Sequence, residues 1–335
     1  MKHTKNNQIF LNDLSKNSDW ATILNETFEN PDLSSDVILP ESDTINLKPL
    51  ALDIKNKMTG VLDNKNLKTG FNELDQDIDF LGSGLIILSG KEKSGKTALT
   101  LQIAIQVIEN NPKIPVFYFA YGDSKRDLQQ RIFLSLGKMT RTKYRKGQFD
   151  HQNAAEALKK YQSIGDRLFI VEGHQTFYPN KIKEAVVNTL SKYYGDTLPG
   201  ENSCIVIVDY IQEVPSYTGN QSMDERIIQV SSALKDLSKI ISSPVIVVYG
   251  NPDVERLTTQ SDDLKITVEK KESLDFASDV YMSIIPTNNR IPKINSGIPK
   301  DIKPYRINIY KNKNGEEGDK YMYFSPSNSR WFMNI

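Results

Sequence analysis

From about Lys68 onward, short apolar runs alternate with segments whose apolar residues recur every three or four positions. Leu85 to Ser89, Ile114 to Ala120, Leu168 to Val171, Cys204 to Val208 and Pro244 to Val248 are apolar runs bounded by turn residues, the pattern of buried strands. Between them, Lys96 to Glu109, Ser124 to Leu136, residues 152–163 and Lys181 to Tyr194 read as helices. Met223, Ile227, Val230, Leu234, Leu237 and Ile241 mark a longer amphipathic helix. Their spacing also suits a coiled coil, but so short a stripe reads first as a core face. Val280 to Ile285, Arg306 to Tyr310 and Lys320 to Phe324 are expected as later strands. Alternating strands and helices predict an α/β fold: a mainly parallel sheet with helices on both faces, its last strands partly antiparallel.

Upstream, the pattern is different. Residues 1–45 form a polar arm rich in Asn, Asp and Ser, with one helical signal: Ser18 as cap, Trp20, Leu24 and Phe28 on one face, and Asn30-Pro31 as the stop. It reads either as a short helix docked on its own domain or as a partner-binding helix on a mobile arm. Residues 46–65 form a linker, where Leu47, Leu50, Ile54 and Met58 repeat at helical spacing and Pro49 fits a first turn. Residues 66–335 form the main domain. Composition changes this picture little. Lys+Arg and Asp+Glu both number 42, so any nucleic-acid contact must come from local patches. Cys204 is the only cysteine, which excludes a disulfide framework or a cysteine-rich zinc site and makes a reducing cytoplasm the expected compartment. The chain shows neither a leader nor a bilayer-spanning run, so no membrane association is expected.

The strongest motif is Gly90-Lys91-Glu92-Lys93-Ser94-Gly95-Lys96-Thr97, which satisfies G-x-x-x-x-G-K-[ST] after an apolar strand and before an apolar-faced helix. Gly90 and Gly95 let the backbone, through Lys93 and Ser94, curl its N–H groups toward one phosphate. The following helix adds unpaired donors and a favourable dipole. Lys96 supplies a point charge for the β- and γ-phosphates, and the Thr97 hydroxyl is a hard ligand for Mg²⁺. The run Cys204 to Val208 ends in Asp209, which fits a strand-end carboxylate that holds the Mg²⁺ shell. These features predict binding of ATP with Mg²⁺.

Further segments carry a family resemblance. Thr69-Gly70-Phe71-Asn72-Glu73-Leu74-Asp75 leads into the phosphate motif, and Val116-Phe117-Tyr118-Phe119 with Leu128 and Arg131, Val208-Asp209-Tyr210-Ile211-Gln212 with Leu234-Lys235-Asp236-Leu237, and Lys311-Asn312-Lys313-Asn314-Gly315 with Gly318 follow it in an ordered set. From about residue 66 to 331 the chain resembles the C-terminal motor domain of DnaB-like replicative helicases, within the RecA class. The resemblance implies a RecA-like fold, a ring-shaped homo-oligomer (a hexamer) with ATP between subunits, single-stranded DNA in the central channel, and a linker helix at about 46–58 on the neighbouring subunit. Other replication proteins are expected partners of the arm. The family's amino-terminal collar domain is not matched, which leaves primase recruitment without a counterpart here.

Three positions depart from the family. Its water-polarising glutamate falls at Gly122, with Asp123 beside it as a shorter, displaced substitute. A base misplaced by about 1 Å costs on the order of 100-fold in rate. Its trans-acting arginine falls at Lys313, which supplies charge without a planar fork, while Lys311 is retained. Its Ser-Gln sensor is replaced by Val248-Tyr249-Gly250-Asn251. For DNA, Arg256, Lys265, Lys270 and Lys271 are the candidate contacts, although Asp262, Asp263, Glu269 and Glu272 also make this stretch read as a solvated mixed-charge loop. A second basic run, Lys138, Arg141, Lys143, Arg145 and Lys146, suits phosphates or a neighbouring subunit. Two functions follow. One is an ATP-dependent DNA helicase motor in which Asp123, Lys311 and Lys313 act at the phosphates. The other is a weakened ATP-binding structural or regulatory subunit. A small-molecule kinase is a distant third, for want of an Arg-rich lid.

Overall fold

The structure is a computed structural model and describes residues 67–77, 81–195, 202–216, 222–250, 272–287, 301–313 and 315–333. The helices expected in the arm and at 46–58 lie outside the described residues, as do Asn251, Arg256, Lys265, Lys270 and Lys271.

Among the described residues, nine strands form one sheet: β1 (Gly84–Gly90), β2 (Val116–Ala120), β3 (Leu168–Glu172), β4 (Ile205–Asp209), β5 (Pro244–Gly250), β6 (Val280–Pro286), β7 (Lys303–Asn312), β8 (Gly318–Ser325) and β9 (Arg330–Phe332). Their order is β3-β2-β4-β5-β1-β6-β7-β8-β9. The first six are mutually parallel and the last three extend β6 in antiparallel register. The mainly parallel α/β expectation is met, including the antiparallel carboxyl-terminal strands.

The helices are α1 (Asn72–Asp77), α2 (Lys96–Asn110), α3 (Lys125–Leu136), α4 (Arg141–Arg145), α5 (His151–Gly165), α6 (Pro179–Tyr194), α7 (Met223–Ile240) and α8 (Glu272–Ala277), with a 3₁₀ turn at Ile211–Glu213. Local chemistry sets their ends. Ser124 caps α3 and Asp150 caps α5. Ser222 and Glu225 close a reciprocal capping box on α7. Pro179 opens α6 two residues before the expected Lys181, because its fixed φ suits a first helical turn.

Alternation along each strand feeds two cores. Ile86 and Leu88 of β1, Val116 and Tyr118 of β2, and Ile205 and Ile207 of β4 face α2, α3 and α5. Leu85, Ile87, Phe117, Phe119, Val206 and Val208 face α6 and α7. Each fully buried side chain of this kind contributes about 1.5–3 kcal/mol relative to exposure. The apolar stripe of α7 is therefore a core face, with Ile227, Val230, Leu234 and Leu237 buried. This doubly covered sheet brings the carboxyl ends of β2, β4, β5 and β1 into one row, and that is where the site lies.

Candidate active site

The turn between β1 and α2 is the phosphate motif. Gly95 adopts a left-handed backbone (φ 88), and a Cβ there would sit 2.9 Å from the Phe324 and Trp331 rings, so both conformation and space require glycine. Lys93 is at the exposed tip with φ 62. Ser94 is buried beneath it, and its Oγ has no hydrogen-bond partner among the described residues. The Lys96 ammonium donates to the carbonyls of Gly90 and Lys91, each at 2.8 Å, and so spans the mouth of the loop. Burial pulls its pKa down to about 8, opposed by the charges of Asp209 and Glu92.

Asp209 ends β4 directly beside Ala120 of β2. Its Oδ2 accepts a 2.7 Å bond from the Tyr118 hydroxyl, which also lies 3.0 Å from Thr100 Oγ1. Its Oδ1 is buried and has no partner among the described residues. Burial pushes the carboxyl up to about 6; the Tyr118 and Thr97 hydroxyls and the Lys96 charge pull the other way, while Asp123 adds to the rise. Thr97 is buried in the first turn of α2, 3.5 Å from the Tyr210 hydroxyl. A buried carboxylate oxygen without a partner costs several kcal/mol unless a cation meets it. Asp209 and Thr97 supply two hard oxygens next to a phosphate cradle, so Mg²⁺ with its own waters and a phosphate oxygen fits this donor set.

The hydrolytic side is arranged differently. Gly122 is filled from outside: an added Cβ would lie 2.7 Å from Tyr210 Cε2. The Tyr210 ring also stands 5.8 Å from the Lys96 ammonium. Asp123 is close enough for its charge to act on Asp209, but its Oδ1 takes a 2.9 Å ion pair from Arg131 of α3. At the end of β5, the Gln212 amide fills the space beside Gly250, donating to its carbonyl at 2.7 Å and accepting from its N–H at 3.3 Å.

Lys311 and Lys313 are not brought to this loop. Asn312 pairs with Val280, at the start of β6, whereas Gly90 pairs with Ile284 near its end. The Lys311 ammonium donates to the Asp275 carbonyl. Lys313 is 73% exposed, 3.7 Å from Asp279, whose other oxygen accepts from the Leu85 amide at 2.9 Å. Asp279 is therefore level with the beginning of β1. The five residue steps from Leu85 to Gly90, at about 3.3 Å each, put roughly 17 Å between that level and Gly90.

Sequence reasoning gave no role to Tyr118, Thr100, Tyr210, Arg131 or Trp331. A tyrosine inside an otherwise apolar strand is a signal, because a buried hydroxyl needs a partner. The partner, 91 residues away, is set only by the pairing of β2 with β4.

The model of the DnaB-like helicase C-terminal domain matches residues 66–333. A probable replicative DNA helicase of Trieres chinensis is 22% identical over 270 residues, covering 79% of this chain and 57% of that protein. The replicative DNA helicase DnaB of Buchnera aphidicola subsp. Baizongia pistaciae is 25% identical over 186 residues, 54% of this chain and 38% of that protein. The chain thus spans only part of the length of these relatives. Among solved structures, the ATPase domain of G40P superposes with a TM-score of 0.66 at 20% identity, over 85% of this chain and 97% of that one. A DnaB-like replicative helicase, described with its interactions with primase, gives a TM-score of 0.66 at 19% identity, over 87% and 69%. With the matched model covering most of its length and the strand order above placing a phosphate loop and a strand-end aspartate together, the chain belongs to the DnaB-like helicase C-terminal domain family.

Proposed function

We propose that this chain is an ATP-driven DNA helicase motor of DnaB type, acting on single-stranded DNA in replication as a ring of like subunits in the cytoplasm. The observation that carries the reading is that the Lys96 ammonium spans the phosphate loop while the buried Asp209 carboxylate, near enough for its charge to act on Lys96, keeps one oxygen without a partner among the described residues. Gly90, Lys93, Ser94 and Gly95 present the loop's N–H groups to the β-phosphate, and Lys96 exchanges its two carbonyl contacts for phosphate oxygens. Thr97 and Asp209 hold Mg²⁺, which when bound neutralises phosphate charge and polarises the γ-phosphoryl group. Tyr118 and Thr100 keep the Asp209 carboxylate oriented by a two-step hydroxyl chain. Asp123, whose charge reaches Asp209, is the carboxylate assigned to order the attacking water, and its bond to Arg131 makes it a slow base. Lys311 and Lys313, distant from their own loop, serve the loop of a neighbouring subunit. Arg256, Lys265, Lys270 and Lys271 are assigned to the DNA backbone, and residues 1–45 to other replication proteins, on the family resemblance alone.

The test is steady-state ATP turnover with and without single-stranded DNA, repeated with Lys96→Ala. Turnover stimulated by DNA and abolished in the variant is expected. A wild-type rate equal to that of Lys96→Ala, with ATP still bound, would replace the motor with a subunit that holds nucleotide as a structural ligand.

A further inference from the structure

We propose that the turn carrying Lys138, Arg141, Lys143, Arg145 and Lys146 is a separate nucleic-acid backbone site, on the same side of the sheet as α2 and independent of ATP turnover. All five side chains are exposed. None has an ion-pair or hydrogen-bond partner among the described residues, and no Asp or Glu occurs between Asp127 and Asp150. The Asp150 carboxylate is already engaged at the start of α5, accepting from the amides of Gln152 and Asn153.

The turn is also held in place, which distinguishes it from a solvated charge run. Thr140 Oγ1 accepts from the Lys143 amide at 3.2 Å, and the Arg141 amide donates to the Ser327 carbonyl at 3.3 Å. Met139 is buried with Leu134 and Ala154 between α3 and α5. Tyr144 packs between Phe133 and Phe149, with ring centroids 6.0 and 5.9 Å away. A single helical turn therefore fixes Arg141 and Arg145 about 6 Å apart along its axis, with Lys143 and Lys146 on the other flank and Tyr144 turned inward. Like charges held this close repel one another, and a polyanion relieves that repulsion. An acidic protein partner would also need apolar anchors. The exposed large hydrophobic side chains among the described residues are Tyr193, Met223, Ile228, Phe276 and Tyr321, none of them in this turn. Phosphates need only charge and reach.

The measurement is anisotropy of a labelled single strand, and of the same sequence as a duplex, against the full chain and Arg141→Ala/Lys143→Ala/Arg145→Ala across a salt series. The variant is expected to bind about tenfold or more weakly at low salt, with a log–log salt slope shallower by about two to three. Its affinity for an unreactive ATP analogue should stay at the wild-type value. Weakening of one nucleic-acid form alone would identify which one the turn holds. Arg141→Lys/Arg145→Lys should retain binding, and Lys138→Ala/Lys146→Ala provides a second loss-of-charge variant if the triple one misfolds. Wild-type affinity and slope for both strands and duplex in these alanine variants would overturn the proposal. So would tighter DNA binding by the triple variant, which would place an acidic segment on the turn. The first 45 residues, with eight carboxylates against three lysines, are the available one. Loss of ATP turnover leaves these readouts intact, so failure of the motor reading and failure of this one are distinguishable.

Discussion

A methyl group on Gly122 would lie 2.7 and 2.9 Å from the Tyr210 ring, closer than side-chain carbons approach without displacement. Gly122→Ala is therefore expected to destabilise by about 1–3 kcal/mol. It should also weaken Mg²⁺–ATP binding, because the ring it pushes lies next to Thr97 and Lys96. Denaturant unfolding and nucleotide titration of the variant measure both effects, and wild-type values for both would mean that Tyr210 swings aside freely. For the same reason Gly122→Glu is not a simple restoration of the family's glutamate: the carboxylate has to displace an aromatic ring first. Much of this site was legible in the sequence, because Gly95, Lys96 and Thr97 are read from spacing and Asp209 from its place at a strand end. What was not legible is what each residue meets across the sheet. Nothing in the order of residues says that Tyr118 reaches Asp209, that Arg131 takes Asp123, or that Gln212 fills the space at Gly250.

Among elements, the hairpin of β8 and β9 is the piece whose position matters most for the phosphate loop. Trp331 is fully buried and stacks on Phe324 at 4.9 Å, and its indole N–H donates to the Gly95 carbonyl at 3.1 Å. The Gln102 side chain of α2 completes the seal, donating to the Trp331 carbonyl at 3.0 Å and accepting from its amide at 2.8 Å. Trp331→Ala is expected to cost about 3–5 kcal/mol from lost packing and cavity formation. Trp331→Phe keeps most of the packing and loses the Gly95 bond, for about 1 kcal/mol. Urea midpoints of the two variants test the ranking, and an alanine variant as stable as the phenylalanine one would show that the ring does not hold the loop. Strands β1 to β8 were legible in the sequence, the first five as apolar runs, but β9, three residues long, was not, and neither was the one-turn helix α4. Such short segments hold no full period of either pattern and take their shape from what they pack on. Strand order was likewise invisible, because β1 enters between β5 and β6 through pairings more than a hundred residues apart.

Across the whole molecule the sheet separates two chemistries. The phosphate loop and Asp209 lie at the carboxyl ends of the parallel strands, while Lys313 and the Asp279–Lys235 ion pair lie at the opposite end. Roughly 17 Å of strand between them is more than a lysine side chain can span. If Lys313 supports hydrolysis, it does so at another copy's nucleotide, and this can be tested by mixing. Lys96→Ala subunits keep Lys313 but lose the phosphate grip, and Lys313→Ala subunits keep the loop but lack the charge. Each is expected to be inactive or weak alone. In a random equal mixture, roughly a quarter of the interfaces of a cyclic assembly set an intact loop against an intact Lys313. Turnover should therefore reappear on mixing to about that fraction of wild type. A lysine acting within its own subunit leaves every site in the mixture defective, so a mixture no more active than the average of its two components would end the trans assignment while leaving the phosphate loop, and the fold that presents it, unaffected.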